Sequence, residues 1–109
     1  MVDRSHQWID ERSLALASAV ADRLESSPDL LEVARKNLDS WILRSPTAPH
    51  PAHLEWQAIL EVESVASIIQ LLRSDSERAQ RLRQSSPFAG LLTPAERWRI
   101  LKEYEARSA

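Results

Sequence analysis

Apolar positions recur along this chain at steps of three and four residues, the spacing that places side chains on one face of an α-helix. The first such stretch predicts a helix from about Ser5 to Leu24. Its apolar stripe is Ile9, Leu16, Ala17, Val20 and Leu24. After an interruption at residues 26–28, Ser27 suits the N-cap of a second helix and Pro28 its first position. That helix has the stripe Leu31, Ala34, Leu38, Trp41 and Ile42. Because the link is short, we expect the two helices to form an antiparallel hairpin.

Helix-start signals divide the rest of the chain. The proline-rich segment SPTAPHP, residues 45–51, predicts an extended connector. A third helix follows from about Ala52, with Trp56, Ile59 and Leu60 inward. We expect Ser64 to cap a separate fourth helix, whose stripe is Val65, Ile68, Ile69 and Leu72. The pattern S-x-x-E at residues 74–77 predicts a capping box and a fifth helix to about residue 84. Thr93, Pro94 and Glu96 form the clearest start, that of a last helix.

The predicted fold is all-α, a compact bundle of five to six short helices in a single domain, residues 1–109. The 109 residues include one glycine, and strand-and-hairpin folds use glycine at their tight turns. No run of eighteen apolar residues predicts a membrane span, and the N-terminus lacks the apolar core of a signal peptide. The chain has no cysteine, which excludes disulfides and thiolate metal sites. We therefore expect a cytoplasmic protein.

The motifs for catalysis are missing from the sequence. His50 and His53 are three residues apart, but no third ligand completes a zinc site, so surface or capping roles are expected. One glycine cannot build a phosphate-binding loop, and no serine stands in a nucleophile elbow. Glu61 and Glu63 lie on different helical faces, which does not support paired-carboxylate catalysis. We predict a protein that is not an enzyme and needs no cofactor or metal.

Charge is distributed unevenly, although the net charge is −2. Residues 1–63 hold six Lys/Arg against eleven Asp/Glu, and residues 64–109 hold eight against five. The cations of the second half can track a phosphate backbone, as a DNA-binding protein requires. They are Arg73, Arg78, Arg81, Arg83, Arg97, Arg99 and Lys102. The pI of about 5.9, the interspersed glutamates and a long turn before the last helix make nucleic-acid binding the less favoured hypothesis.

The sequence contains four tryptophans, a high number for a chain of this length. Trp41, Trp56 and Trp98 fall on or beside apolar stripes, so we expect them in the core. Trp8 lies off the stripe of the first helix, where it can contact a partner.

The segment PFAGLL, residues 87–92, interrupts the arginine-rich C-terminal half. Pro87 ends the fifth helix, and Gly90 allows a backbone geometry that other residues resist. Two alternatives follow for the apolar side chains: a plug folded back on the helices, or an exposed anchor for a partner. For the second alternative, the partner-binding candidates are Arg81, Arg83, Phe88, Leu91, Leu92 and Arg97.

The run DSERAQRLRQSSPFAGLLTPAERWRIL, residues 75–101, resembles a signature of small helical bacterial proteins of toxin–antitoxin type. Residues 9–24, 37–42 and 54–60 are similar to the rest of that pattern. The resemblance implies a non-enzymatic antitoxin whose partner is the toxin encoded by the adjacent gene, of the abortive-infection nucleotidyltransferase type. It implies no catalytic residues.

The expected function is binding that neutralises a cognate toxin by occluding its active or substrate-binding site. An acidic half and apolar anchors can cover a basic groove in such a toxin, and electrostatic complementarity speeds the encounter. Two alternatives stay open: a small DNA-binding regulator, and a helical adaptor subunit of an enzyme complex.

Overall fold

A computed structural model of the chain describes the backbone of residues 4–108 and the side chains of residues 10–105. In this part of the chain there are helices and no strands, as predicted. The helices are α1 (Arg4–Ser26), α2 (Leu31–Leu43), α3 (Pro51–Val62), α4 (Val65–Arg73), α5 (Glu77–Arg83) and α6 (Pro94–Ser108). A short 3-10 helix, Pro28–Leu30, links α1 to α2. None of these described helices has the length and apolar character needed to cross a bilayer.

Two of the predicted helix starts are confirmed by their hydrogen bonds. Ser64 caps α4 by accepting from the Ser67 amide at 3.1 Å, so α3 and α4 are separate helices. At α6, the Thr93 hydroxyl accepts from the Glu96 amide at 3.1 Å, and the Glu96 carboxylate accepts from the Thr93 amide at 3.0 Å. This reciprocal pair is the predicted capping box. His50 has a capping role: its Nδ1 accepts from the Ala52 amide at 3.1 Å and begins α3.

Two predicted caps are wrong in detail. Ser27 makes no side-chain cap, and it precedes a 3-10 turn rather than α2: its carbonyl accepts from the Leu30 amide at 3.1 Å. The N-cap of α5 is Ser76 rather than Ser74, since the Ser76 hydroxyl accepts from the Ala79 amide at 3.1 Å. Ser74 instead ends α4, where its amide donates to the Leu71 carbonyl at 3.2 Å. The predicted helices form, but their first turns differ.

A single apolar cluster joins the helices. It contains most of the residues in the predicted apolar stripes of the first four helices, together with one residue from α5 and two from the loop before α6. Its members are Ala17, Val20, Ala21, Leu24, Leu31, Ala34, Leu38, Trp56, Ile59, Leu60, Ile68, Ile69, Leu72, Leu82, Phe88 and Leu91. Of the other stripe residues, Val65 and Trp41 are half-buried and pack against the cluster from outside. Leu16 and Ile42 are also half-buried, and the side chain of Ile9 lies outside the described residues.

The helix α1 is the centre of the packing, and its main neighbour is α4. Arg73 of α4 donates to Asp22 and Glu25 of α1, at 2.7 Å in each case, at the edge of this contact. The expected α1–α2 hairpin is therefore wrong as a packed pair, because α2 packs mainly against α3. The intervening 3-10 turn redirects the chain, so that closeness in sequence does not become side-by-side packing.

Replacing Thr93 with alanine is expected to destabilise the protein by about 0.5–2 kcal/mol, because the Glu96 amide loses its cap. Urea denaturation followed by circular dichroism measures the change. Thr93→Ser keeps the hydroxyl and is the matched control, expected to stay close to the wild type. An unchanged unfolding curve for Thr93→Ala would show that the capping box does not stabilise α6.

Candidate functional site

The PFAGLL segment folds back onto the helices. Phe88 is only 4% exposed and Leu91 is equally buried, while Leu92 is half-buried. The Phe88 ring meets the Trp56 ring edge-on, with centroids 5.5 Å apart. Of the two alternatives, the structure shows the plug. The alternative in which these side chains form an exposed anchor is wrong for the free protein. Burying them is favourable because it removes a large apolar area from water.

Polar contacts fix the backbone of this segment. The Asn37 side-chain amide of α2 donates to the carbonyl oxygens of Pro87 at 2.8 Å and Ala89 at 3.0 Å. At Gly90 the chain turns with a φ of +92°, a backbone conformation that residues with a Cβ atom rarely adopt. The segment is thus fixed both by the burial of its apolar side chains and by the hydrogen bonds to its backbone. In this position it forms part of the wall of a cavity.

That cavity, with a volume of about 280 Å³, lies between α1, α4 and the PFAGLL segment. Most of its wall is apolar, and its polar side chains come from two serines and two arginines. The lining residues are Ser13, Leu16, Ala17, Val20, Leu72, Arg83, Ser86, Phe88, Ala89, Gly90, Leu92 and Arg97. Four of the six predicted partner-binding residues are thus brought together around one space: Arg83, Phe88, Leu92 and Arg97.

The other two predicted residues lie elsewhere. Leu91 belongs to the core. Arg81 donates two hydrogen bonds to the Glu55 carboxylate of α3, at 2.8 and 3.0 Å. The hydrogen bond from Arg81 lowers the pKa of Glu55, and the nearby charges of Arg81 and Arg78 act in the same direction against desolvation. Arg81 therefore joins α5 to α3 and does not line the cavity.

Trp98 lies on the surface, with 60% of its area exposed, which contradicts its expected place in the core. The inward side of α6 carries Ile100 and Tyr104, both half-buried. At about 100° per residue, Trp98 lies about 120° around the helix from Tyr104, on the outer side. Lys102, one turn later, places its ammonium 5.6 Å from the centre of the Trp98 ring. Trp56 is buried as predicted, and the side chain of Trp8 lies outside the described residues.

Five of the cations of the second half fall into two groups. Arg73, Arg78 and Arg81 pair with carboxylates of α1 or α3. Along residues 10–105, by contrast, no carboxylate lies within ion-pair distance of Arg97 or Arg99, and both are exposed. The side chains of the same range also contain no group of three metal-ligating residues.

One residue of this site, Asn37, was not predicted from the sequence, although it had a detectable signal. Asn37 follows Ala34 by three residues, so it lies beside an inward apolar position. Asparagine is also a weak helix former, which makes its place inside α2 informative. A polar side chain on the inward side of a helix needs a buried partner, and Asn37 finds one in the loop.

No protein-family model matches this sequence, and searches of curated proteins and of solved structures gave no match.

Proposed function

We propose that this protein is a non-enzymatic, antitoxin-like protein that binds a cognate toxin and occludes its active or substrate-binding site. The observation that carries the proposal is the exposed Trp98 on α6, with Arg99 and Lys102 beside it on the outer side of the helix. These three residues are called the Trp98 surface. Tryptophan and arginine are the residues that most often dominate the binding energy of protein interfaces.

The charge of this surface favours an acidic partner site. An enzyme that transfers nucleotides holds Mg²⁺ through carboxylates and binds substrate phosphates around the ion. The positive charges of Arg99 and Lys102 complement such carboxylates. The Trp98 ring supplies an apolar anchor, which is removed from water when the complex forms. Occupation of the site excludes the substrate, so neutralisation needs no chemistry from the antitoxin.

The acidic half of the chain is a weaker candidate for the contact surface. Several of its carboxylates already pair within the protein: Asp22 and Glu25 with Arg73, and Glu55 with Arg81. Covering a basic groove with them would require these contacts to break or to be shared. Among the described residues no carboxylate is within ion-pair distance of Arg99 or Lys102, although Glu103 and Glu105 are exposed on the same helix, and this supports the basic surface over the acidic one.

The test is co-expression with the product of the neighbouring gene. The wild-type protein is expected to form a complex with that product and to relieve the growth inhibition that it causes. Trp98→Ala should weaken the purified complex by roughly thirtyfold, since truncation of an aromatic anchor costs about 2 kcal/mol or more. Rescue of growth should fail although the variant accumulates normally.

Leu43→Ala is the matched control, because Leu43 is 86% exposed and lies at the end of α2, outside the Trp98 surface. It should keep wild-type affinity and rescue. Equal affinity of Trp98→Ala and wild type would remove the Trp98 surface from the interface. Absence of any complex, together with tight and sequence-specific retardation of the protein's own promoter at physiological salt, would replace the antitoxin proposal with a DNA-binding regulator.

A further inference from the structure

The last helix, α6, lies outside the apolar cluster. Each of the other α-helices, and the loop before α6, contributes at least one residue to that cluster. None of the described side chains of α6, residues 94–105, is buried or belongs to it. The half-buried apolar residues of this helix are Ile100, Leu101 and Tyr104. The helix therefore takes only a small part in the apolar burial that stabilises the rest of the domain.

The main neighbour of α6 is α1, and one polar contact joins the two helices. The Arg23 guanidinium of α1 donates to the Glu96 carboxylate in the first turn of α6. That carboxylate also accepts from the Thr93 amide, so one group closes the capping box and connects α6 to α1. The hydrogen bonds of Thr93, and then that of Arg23, lower the pKa of Glu96, so the carboxylate is ionised at neutral pH. Arg23 and Glu96 are both partly exposed, which limits the strength of their contact.

The chain just before α6 is fixed more firmly than α6 itself. Leu91 belongs to the cluster, and Asn37 holds the backbone of the PFAGLL segment through two hydrogen bonds. Leu92 is only half-buried, and Thr93 is exposed. A segment with few buried apolar contacts opens at a lower free energy than the core to which it is attached. The change in burial therefore puts a hinge at residues 92–93.

We propose that α6 is a hinged lid on α1, which opens as a unit about residues 92–93 while α1–α5 and the PFAGLL segment keep their packing. The contact between Arg23 and Glu96 is the latch that holds the lid closed. Opening takes Arg97 away from the wall of the cavity and uncovers the side of α1 that α6 contacts. The open form is a minor state of the free protein, and the lid does not depend on the proposed toxin contact.

The experiment is native-state hydrogen exchange of the folded full chain, followed by NMR at low concentrations of urea. The amides of α6, residues 97–104, are expected to share one protection factor. It should be at least about tenfold lower than the highest protection factors in α1 and α4. Because opening of the lid exposes less surface than global unfolding, urea should accelerate exchange in α6 only weakly.

Ile59→Val separates opening of the lid from unfolding of the core. Ile59 is buried in α3, and the open form keeps the cluster to which it belongs. The variant should lower the protection factors of α2, α3 and α4 by roughly two- to tenfold and leave those of α6 unchanged. An equal loss of protection in α6 would show that this helix opens only when the whole domain unfolds.

Glu96→Gln tests the latch, because it keeps an oxygen that can accept from the Thr93 amide but removes the charge that Arg23 contacts. Only the closed form contains this contact, so the protection factors of α6 and of the core should fall by the same factor, roughly two- to fivefold. Arg23→Met should have the same effect, and the double variant should show no further loss. Glu77→Gln is the matched control, since it removes a charge from the first turn of α5 at an exposed position. It should have the smaller effect.

Several results would overturn the proposal. If α6 had the same protection and the same urea dependence as α1 and α4, the helix would not open separately. Protection that falls steadily along α6 would show fraying from the end of the helix rather than movement of a lid. If the losses from Arg23→Met and Glu96→Gln were additive, or no larger than the loss from Glu77→Gln, the contact between Arg23 and Glu96 would not be the latch.

Discussion

Truncation of Phe88 to alanine is expected to destabilise the free protein by about 3–5 kcal/mol, one of the two largest effects of any single substitution proposed for this chain. The ring is buried, packs edge-on against Trp56 and lies in a segment fixed by Asn37. The neighbouring backbone therefore cannot collapse into the cavity that the substitution leaves. Because small domains are stable by about 5–15 kcal/mol, such a loss is a large share of the total.

Urea denaturation of the purified protein measures this effect. Leu43→Ala is the control for truncation of an exposed apolar side chain, and it should change stability by no more than about 0.5 kcal/mol. Leu91→Ala, at the second buried position of the segment, should cost about 2–5 kcal/mol. If Phe88→Ala instead left stability unchanged and weakened the toxin complex, the segment would have to leave the core on binding, as the anchor alternative requires.

Truncation of Trp56 to alanine is expected to have the second large effect, a loss of about 3–5 kcal/mol. The side chain is 1% exposed, and its indole N–H donates to the Leu82 carbonyl at 2.9 Å. This hydrogen bond joins α3 to the end of α5. The Leu82 carbonyl keeps a second donor, the Ser85 amide at 3.1 Å, so the lost volume accounts for most of the cost.

Trp98→Ala provides the matched control, because it makes the same chemical change at an exposed position. It should alter stability by no more than about 0.5 kcal/mol, while it weakens the proposed complex. The two tryptophans thus separate stability from binding. A large loss of stability in Trp98→Ala, or a small one in Trp56→Ala, would contradict the burial of these side chains in the free protein.

The sequence by itself determined most of the helices and much of the core. Apolar steps of three and four residues placed Leu24, Leu38 and Ile68 inside, and these residues are buried. The capping motif at residues 93–96 and the serine at residue 64 located the starts of α6 and α4. Such features act within one or two turns of the chain, so local chemistry is enough to predict them.

Only the tertiary structure decided which helices are neighbours and which side of α6 faces the core. A helical stripe marks an apolar face but not its partner, so the α4 contact of α1 did not follow from the pattern. Trp98 was misplaced because α6 has apolar residues around more than one side, and packing selects the side with Ile100 and Tyr104. The cavity is another feature that only the tertiary structure decided. It depends on Arg83 and Phe88 meeting α1 across more than sixty positions of sequence, a relation that no local pattern contains.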